Sequence, residues 1–145
     1  MELSENEIDV LLKTEKYCFE SQKFSFPQLG GKISIPLFSE NKQEEFLLDI
    51  SRSRIEVLKT TYQNRARKTI ILLRLDIGSA PHRNPNGQEI SSPHLHIYKE
   101  CYGDKFAYPL PEEFNLCSDS IDYLNTFMDY CNIVVKPNID IGLFV

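Results

Sequence analysis

The sequence contains no tryptophan and no apolar run long enough to cross a membrane. Its first residues, MELSENEIDV, lack a basic segment followed by an apolar one, so no signal peptide is predicted. The absence of a CxxC pair argues against a zinc knuckle and favours free thiols in a reducing compartment for the four cysteines, Cys18, Cys101, Cys117 and Cys131. These absences predict a cytoplasmic protein that makes no use of a membrane.

Motifs of several common enzyme classes are missing as well. The chain has no phosphate-binding glycine loop, no dinucleotide-binding fingerprint and no Ser-His-Asp spacing. Enzymes that depend on a bound nucleotide and serine hydrolases are therefore not indicated. No cofactor is predicted from the sequence.

The composition is that of an ordinary globular protein, but the charge is unevenly distributed. With 145 residues, of which 41% are hydrophobic and 26% charged, a single domain over residues 1–145 is predicted. Residues 52–74 hold seven basic residues against Glu56 alone, a local charge of +6 that leaves −11 for the remainder of the net −5. This basic segment fits either a contact with nucleic acid or a strand edge guarded by charge.

A capping-box pattern marks the start of the first helix. Ser4 and Glu7 have the S-x-x-E spacing, and Ile8 begins an apolar stripe at i, i+3 and i+4. We predict that this helix runs from about residue 5 to about residue 20. A second amphipathic helix is predicted from Asp119 to Cys131.

Between the helices apolar residues alternate with polar ones, which predicts strands. KFSFPQLGGKISIPLF indicates two strands around a Gly30-Gly31 turn, with prolines that favour a sheet edge. EFLLDISRSRIEVLK continues as strand, TYQNRARK is interpreted as a polar turn, and TIILLRLDI as a central strand. HLHIYKE is expected to pair with KFAYPL, and NIVVKPNIDIGLFV to form short extended segments. The predicted fold class is α+β, a bent antiparallel sheet with an N-terminal and a C-terminal helix.

All histidines of the chain fall within residues 79–98, SAPHRNPNGQEISSPHLHIY. His94 and His96 are two residues apart, so they share one face of the predicted strand. The loop before them is about sixteen residues long and is expected to arch over that face, bringing His82 toward the other two imidazoles. Arg74 and Asp76 share the face if the register of the two strands allows it.

The leading interpretation of this cluster is acid–base cleavage of a phosphodiester without a metal ion, as in a toxin-like ribonuclease. Imidazoles titrate near neutral pH, so His82 and either His94 or His96 are predicted to serve as acid and base. Arginines stabilise the crowded phosphate, and polar side chains position the substrate. The residues assigned to these two roles are Arg74, Arg83, Asn84 and Tyr98.

Other chemistries fit the same residues. Three imidazoles that meet over one pocket form a nitrogen ligand set for zinc or another divalent ion, which would make the protein a small metal-dependent hydrolase. Asp49 and Asp76 are candidate carboxylate ligands, although burial against Arg52 or Arg74 is the more ordinary explanation. The cluster also fits recognition of a ligand through hydrogen bonds, or the anchoring of a proline-rich loop with no chemistry at all.

The basic segment contributes a second set of candidates. Arg65, Arg67 and Lys68 are predicted to contact phosphate, with Tyr62 stacking on a base. A solvated turn is the competing interpretation. Nucleic acid is therefore a predicted partner through residues 52–74.

Several pieces of the sequence together resemble an uncharacterised bacterial domain family found in Firmicutes and on phages and other mobile elements. The matching pieces are LRLD at residues 73–76, His82, NPNG at 84–87, HLHIY at 94–98 and the closing DYCNI. The resemblance extends over most of the chain. It implies a setting in which toxins, immunity factors and anti-defence proteins are frequent, and it brings no activity, cofactor or catalytic residue.

These observations lead to one functional prediction and two alternatives. The prediction is a protein of a mobile element or defence locus that acts on nucleic acid. The first alternative is a non-catalytic inhibitor or interaction protein, since an acidic surface suits a basic partner protein. The second is the metal-dependent hydrolase.

Overall fold

The computed structural model describes residues 2–142, which form two α-helices, a short 3-10 turn and twelve strands. The helices are α1 (Glu5–Lys13) and α2 (Ser120–Tyr130), and the 3-10 turn is Glu112–Phe114. The strands are β1 (Lys16–Tyr17), β2 (Lys23–Ser25), β3 (Lys32–Phe38), β4 (Glu45–Arg52), β5 (Thr60–Ala66), β6 (Ile70–Ile77), β7 (His82–Arg83), β8 (Glu89–Ile90), β9 (His94–Ile97), β10 (Ala107–Pro109), β11 (Ile133–Val135) and β12 (Asn138–Asp140).

Eight of the strands form one sheet in the order β10-β9-β6-β5-β4-β3-β1-β11. Its pairs are antiparallel apart from β1 with β11. β12 pairs with β2, and β7 pairs with β8, in two small separate sheets. The predicted α+β class, with a helix near each end of the chain, is confirmed. Within residues 2–142 no helix has the length and apolar character that crossing a membrane requires.

The two faces of the large sheet differ in chemistry. Alternate residues of β4, among them Phe46, Leu48 and Ile50, are buried in the core that also contains the apolar sides of both helices. On the opposite face, here called the outer face, polar side chains follow one another across β4, β5, β6 and β9. The row of paired residues is Asp49, Gln63, Arg74 and His96.

The first helix is shorter than predicted, because it ends at Lys13 and not near residue 20. The capping box of Ser4 and Glu7 is present as expected. At the other end, the buried ammonium group of Lys16 donates to the backbone carbonyls of Leu11 and Thr14, at 3.2 and 3.0 Å. Pairing of β1 with β3 and β11 then takes the following residues into the sheet, an interaction between distant segments that the local pattern does not reveal.

The turn predicted for the segment TYQNRARK is wrong for most of its length. The segment forms β5, an interior strand between β4 and β6. The side chains of β5 alternate strictly, so Tyr62 and Asn64 are buried while Gln63 and Arg65 lie on the outer face. The polar composition of this segment therefore hid the alternation of buried and outer-face side chains that is typical of a strand.

Predictions for the other strands and the second helix are confirmed only in part, since β3, predicted at a sheet edge, lies between β4 and β1. β6 is a central strand, β9 pairs with β10, and α2 begins after Asp119, whose side chain accepts a hydrogen bond from the backbone N–H of Asp122. The two strands predicted around Gly30-Gly31 do not pair with each other, since β2 pairs with β12. Of the predicted closing segments, β11 and β12 are present, and residues 143–145 lie outside the described range.

Candidate functional site

The three histidines meet over the outer face of the sheet, as the sequence predicted. The register of β6 and β9 places Arg74 opposite His96 and Asp76 opposite His94. The loop between these strands folds back as the β7–β8 hairpin and carries His82 toward them. The ring of His82 lies 4.6 Å from that of His96 and 5.9 Å from that of His94, and the latter two rings are 5.1 Å apart.

Two contacts hold the loop over the site. The buried side chain of Asn84 accepts a hydrogen bond from the backbone N–H of Ala107 at 2.8 Å and donates to its carbonyl at 3.0 Å. The Nε2 atom of His82 lies 2.8 Å from the carbonyl oxygen of Lys105. Asn84 is predicted to position a substrate, and its buried amide fastens the loop to β10.

Asp76 lies at the centre of the cluster. Its Oδ2 atom is 3.4 Å from Nε2 of His94 and 3.2 Å from Nε2 of His96, and its Oδ1 atom accepts from the hydroxyl of Thr61 at 3.1 Å. Burial by itself raises the pKa of this carboxyl, but the hydrogen bond with His96 and the charge of Arg74 outweigh it and lower the pKa to about 2. Asp76 is therefore an anion at neutral pH.

Arg74 is the cation of the cluster. Its guanidinium donates to Asp76 at 3.3 Å and to the carboxylate of Asp104 at 2.8 Å, and its Nη2 atom lies 3.0 Å from Nε2 of His96. It therefore contacts two of the acceptor atoms in the site, while its contact with Asp104 reaches toward the surface. Any cation that enters the site competes with Arg74 for Asp76 and His96.

The hydrogen-bond partners fix which ring nitrogens carry a proton. Nδ1 of His96 lies 2.8 Å from the carbonyl oxygen of Asp104, and Nδ1 of His94 lies 3.3 Å from that of Ser91. A carbonyl oxygen only accepts, so both Nδ1 atoms donate. Each Nε2 atom then donates to Asp76 when its ring is protonated and presents a lone pair when its ring is neutral. With both rings neutral, two lone pairs from imidazoles and one from Asp76 point into the same space.

The side chains of Asp76, His94 and His96 are shielded from solvent. His94 and His96 are each 1% exposed and Asp76 is 8% exposed, whereas His82 is partly exposed. Burial lowers the pKa of His94, and the neighbouring Asp76 offsets this only in part, which favours the neutral form of the ring. Among residues 2–142, the group of histidine, cysteine and acidic side chains with metal-ligand geometry is Asp76, His94 and His96, whose ligand atoms all lie within 4.8 Å of one another.

Comparison with known families places the chain in a family whose function is unknown. A family of unknown function, DUF6978, matches residues 3–133. The chain belongs to the DUF6978 family. No curated protein and no solved structure matches it. The resemblance to an uncharacterised domain is thus confirmed. Because the function of the DUF6978 family is unknown, the chemistry of the site follows from its geometry.

Other residues that the sequence proposed for the DUF6978 site lie outside the cluster. Arg83 points to solvent, where its guanidinium lies 3.9 Å from Glu89 and 72% of its side chain is exposed. Tyr98 follows the end of β9, and its hydroxyl accepts a hydrogen bond from the backbone N–H of Leu3. Each of these two residues is thus engaged with a local or N-terminal partner, and the roles assigned to them stay predictions.

The basic segment does not form one continuous cationic surface. Arg65 donates to Asp49 through Nε at 2.6 Å and Nη2 at 2.9 Å, and Arg67 pairs with Glu44 at 2.9 Å. Lys68 is exposed in the turn that follows β5. Tyr62, predicted to stack on a base, is buried in the core, where its hydroxyl donates to the carbonyl of Ser120 at 2.7 Å. Neighbouring carboxylates therefore neutralise much of the charge that the sequence concentrates here.

Sequence reasoning missed several contributors to the site. Asp104 supplies a carboxylate to Arg74 and a carbonyl to His96, and Thr61 comes from a strand that was interpreted as a turn. Residue type carries no signal for a backbone acceptor such as the carbonyl of Ser91. Of these contributors, only Thr61 could have been predicted from the sequence, because a strand assignment for β5 would have placed it on the outer face.

Proposed function

We propose that this DUF6978 protein binds a divalent transition-metal ion, best suited to zinc, through Asp76, His94 and His96. The observation that carries the proposal is the spacing of the acceptor atoms. An ion with tetrahedral bonds of about 2.0–2.1 Å holds neighbouring ligand atoms about 3.3 Å apart. The distances from Oδ2 of Asp76 to the two Nε2 atoms are 3.4 and 3.2 Å.

The surroundings of the ligands support the same proposal. Histidines that bind metal ions commonly donate their second nitrogen to a carbonyl or carboxylate, which fixes the ring and its tautomer. Nδ1 of His94 faces the carbonyl of Ser91, and Nδ1 of His96 faces that of Asp104. Two imidazole nitrogens and one carboxylate oxygen are a donor set that suits zinc and other first-row divalent ions.

The burial of the rings favours metal binding over acid–base cleavage of RNA. A general acid or base must come within hydrogen-bond reach of its substrate. His94 and His96 are each 1% exposed, and both of their nitrogens already face partners within the protein. An ion needs only a narrow entry, and a buried ion would tie β6 to β9.

The test is titration of tag-free protein with Co²⁺ and Zn²⁺. We expect one ion per chain, a visible Co²⁺ spectrum of tetrahedral type, and loss of binding in His94→Ala and His96→Ala. Zn²⁺ at about 100 times its dissociation constant should stabilise the fold by about 2.7 kcal/mol. Arg83→Ala is the matched control, because that side chain is exposed and lies on the same loop.

Arg74→Met distinguishes two explanations of the cluster. In one, Asp76, His94 and His96 bind a metal ion; in the other, Arg74 is the cation that these side chains bind permanently. The variant removes the competitor for Asp76 and His96, so the affinity for Zn²⁺ should rise. If neither the natural protein nor Arg74→Met retains Zn²⁺ or Co²⁺, the proposal fails.

A second candidate function is the nucleic-acid activity that the sequence suggested, in a cytoplasmic protein of bacterial mobile elements. Its support is the convergence of three imidazoles beside Arg74, with His82 partly exposed. We expect RNA cleavage in the presence of EDTA that disappears in His82→Ala. If no RNA is cleaved in any buffer, this candidate is rejected and an inhibitor of a defence enzyme becomes the better alternative.

A further inference from the structure

An apolar cleft of about 260 Å³ lies on the outer face of the sheet, away from the histidines. Pro36 and Leu47 are directly paired across β3 and β4 and line the cleft together with Phe38. The helices cover the opposite face of the sheet, so apolar side chains remain accessible here. Pockets for drug-sized ligands begin at about 300 Å³, so the cleft suits a somewhat smaller molecule.

Aromatic side chains extend the apolar surface beyond the cleft. The ring of Phe38 lies 6.2 Å from that of Phe19, which stacks on Tyr17 at 5.9 Å. Phe19 is 48% exposed. Grouped exposed apolar residues of this kind mark binding surfaces more often than single ones do.

The rim of the cleft is cationic on one side. Arg65 forms part of the wall, where Asp49 and the carbonyl of Lys68 hold its guanidinium. Lys68 itself is exposed at the rim, and Glu45 is the carboxylate that also borders the cleft. Because Asp49 offsets the charge of Arg65, the ammonium group of Lys68 is the cation available to a bound anion.

The turn that presents this cation has an unusual backbone. Arg67 and Lys68 have φ angles of 51° and 69°, in the left-handed region that glycine and asparagine favour. Two adjacent basic residues therefore occupy positions where Asn-Gly would be less strained. Such backbone outliers accumulate where function requires the side chain.

We infer that the cleft binds a small carboxylate with an apolar body, with the carboxylate on Lys68 and the apolar part on Pro36, Phe38 and Leu47. This inference does not depend on the metal site. A nucleic acid is a poorer fit, because the walls are apolar, Glu44 neutralises Arg67, and the whole chain carries a net charge of −5.

The experiment is an NMR titration of the full chain with three eight-carbon probes, octanoate, octan-1-ol and octylamine. Octanoate should shift the backbone amides of Leu47, Arg65 and Lys68, and should bind about tenfold more tightly than the other two probes. Equal affinity for the three probes, or shifts confined to other residues, would overturn the inference. So would a single-stranded oligonucleotide that shifts the same amides at lower concentration than octanoate.

Variants assign the interaction to the cleft. Lys68→Glu should weaken octanoate binding about tenfold and leave octan-1-ol unchanged, whereas Lys23→Glu, an exposed lysine on β2, should change neither. Leu47→Asp should weaken the binding of both probes. The double variant Arg67→Asn/Lys68→Gly should need more urea to unfold and bind octanoate less tightly. Full octanoate affinity in both Lys68 variants would overturn the inference, whether or not the metal site exists.

Discussion

Asp76→Ala is expected to lower the free energy of unfolding by about 3 kcal/mol and to abolish metal binding. The variant leaves Arg74 in a largely buried site without its buried carboxylate partner, and breaking a buried ion pair costs about 3–5 kcal/mol. We expect the lower end, because Arg74 keeps its 2.8 Å contact with Asp104. Urea unfolding measures the first effect, and Co²⁺ titration measures the second.

Asp104→Ala is the matched control for this prediction. It also removes a carboxylate from Arg74, but the Asp104 side chain is 32% exposed and supplies no ligand atom, since its contact with His96 is through the backbone. A partly exposed ion pair contributes about 1 kcal/mol or less, so the loss of stability should be small and metal affinity should stay within about tenfold. If Asp104→Ala abolishes Co²⁺ binding as Asp76→Ala does, our assignment of the ligands is wrong.

Asn84→Ala is expected to destabilise the protein by about 3 kcal/mol, because it leaves both the N–H and the carbonyl of Ala107 without a partner. Each orphaned buried group costs about 1–3 kcal/mol. The loop should then lose its attachment to β10, which hydrogen exchange at Ala107 would detect. Asn84→Asp retains an acceptor for the N–H of Ala107 and should show a smaller loss.

Asn86→Ala serves as the control on the same loop. Its exposed amide accepts only from the local N–H of Gln88, at 3.0 Å. The expected loss of stability is about 1 kcal/mol or less. Metal affinity should survive in Asn84→Ala, since the three proposed ligands come from β6 and β9. Equal effects of the two substitutions on stability would contradict the role we assign to Asn84.

Much of the candidate site was predictable from local patterns. The H-x-H spacing places His94 and His96 on one face of a strand, and the turn-rich loop before them makes the return of His82 foreseeable. The chemistry was not predictable in the same way. Whether the imidazoles bind a substrate, a metal ion or only one another depends on how deeply they are buried and on backbone carbonyls such as that of Ser91. The residue types in the sequence indicate neither of these.

The errors in the fold share one physical origin. α1 ends at Lys13 because pairing between distant segments takes the next residues into the sheet, and β5 is a strand although its composition is that of a turn. In both segments, tertiary contacts outweighed a local propensity that is worth only a fraction of a kcal/mol per residue, about 0.7 at most for ordinary residues.

The sequence by itself determined the α+β class, the helix α2, the central strand β6 and the convergence of the histidines, because each follows from a short-range period or a turn signal. Only the tertiary structure decided that Asp76 stands between His94 and His96, that Arg74 competes for the same atoms, and that both rings are buried. These facts depend on the register between β6 and β9 and on the loop above them. Register is fixed by the packing of whole strands, so no local stretch of sequence contains it.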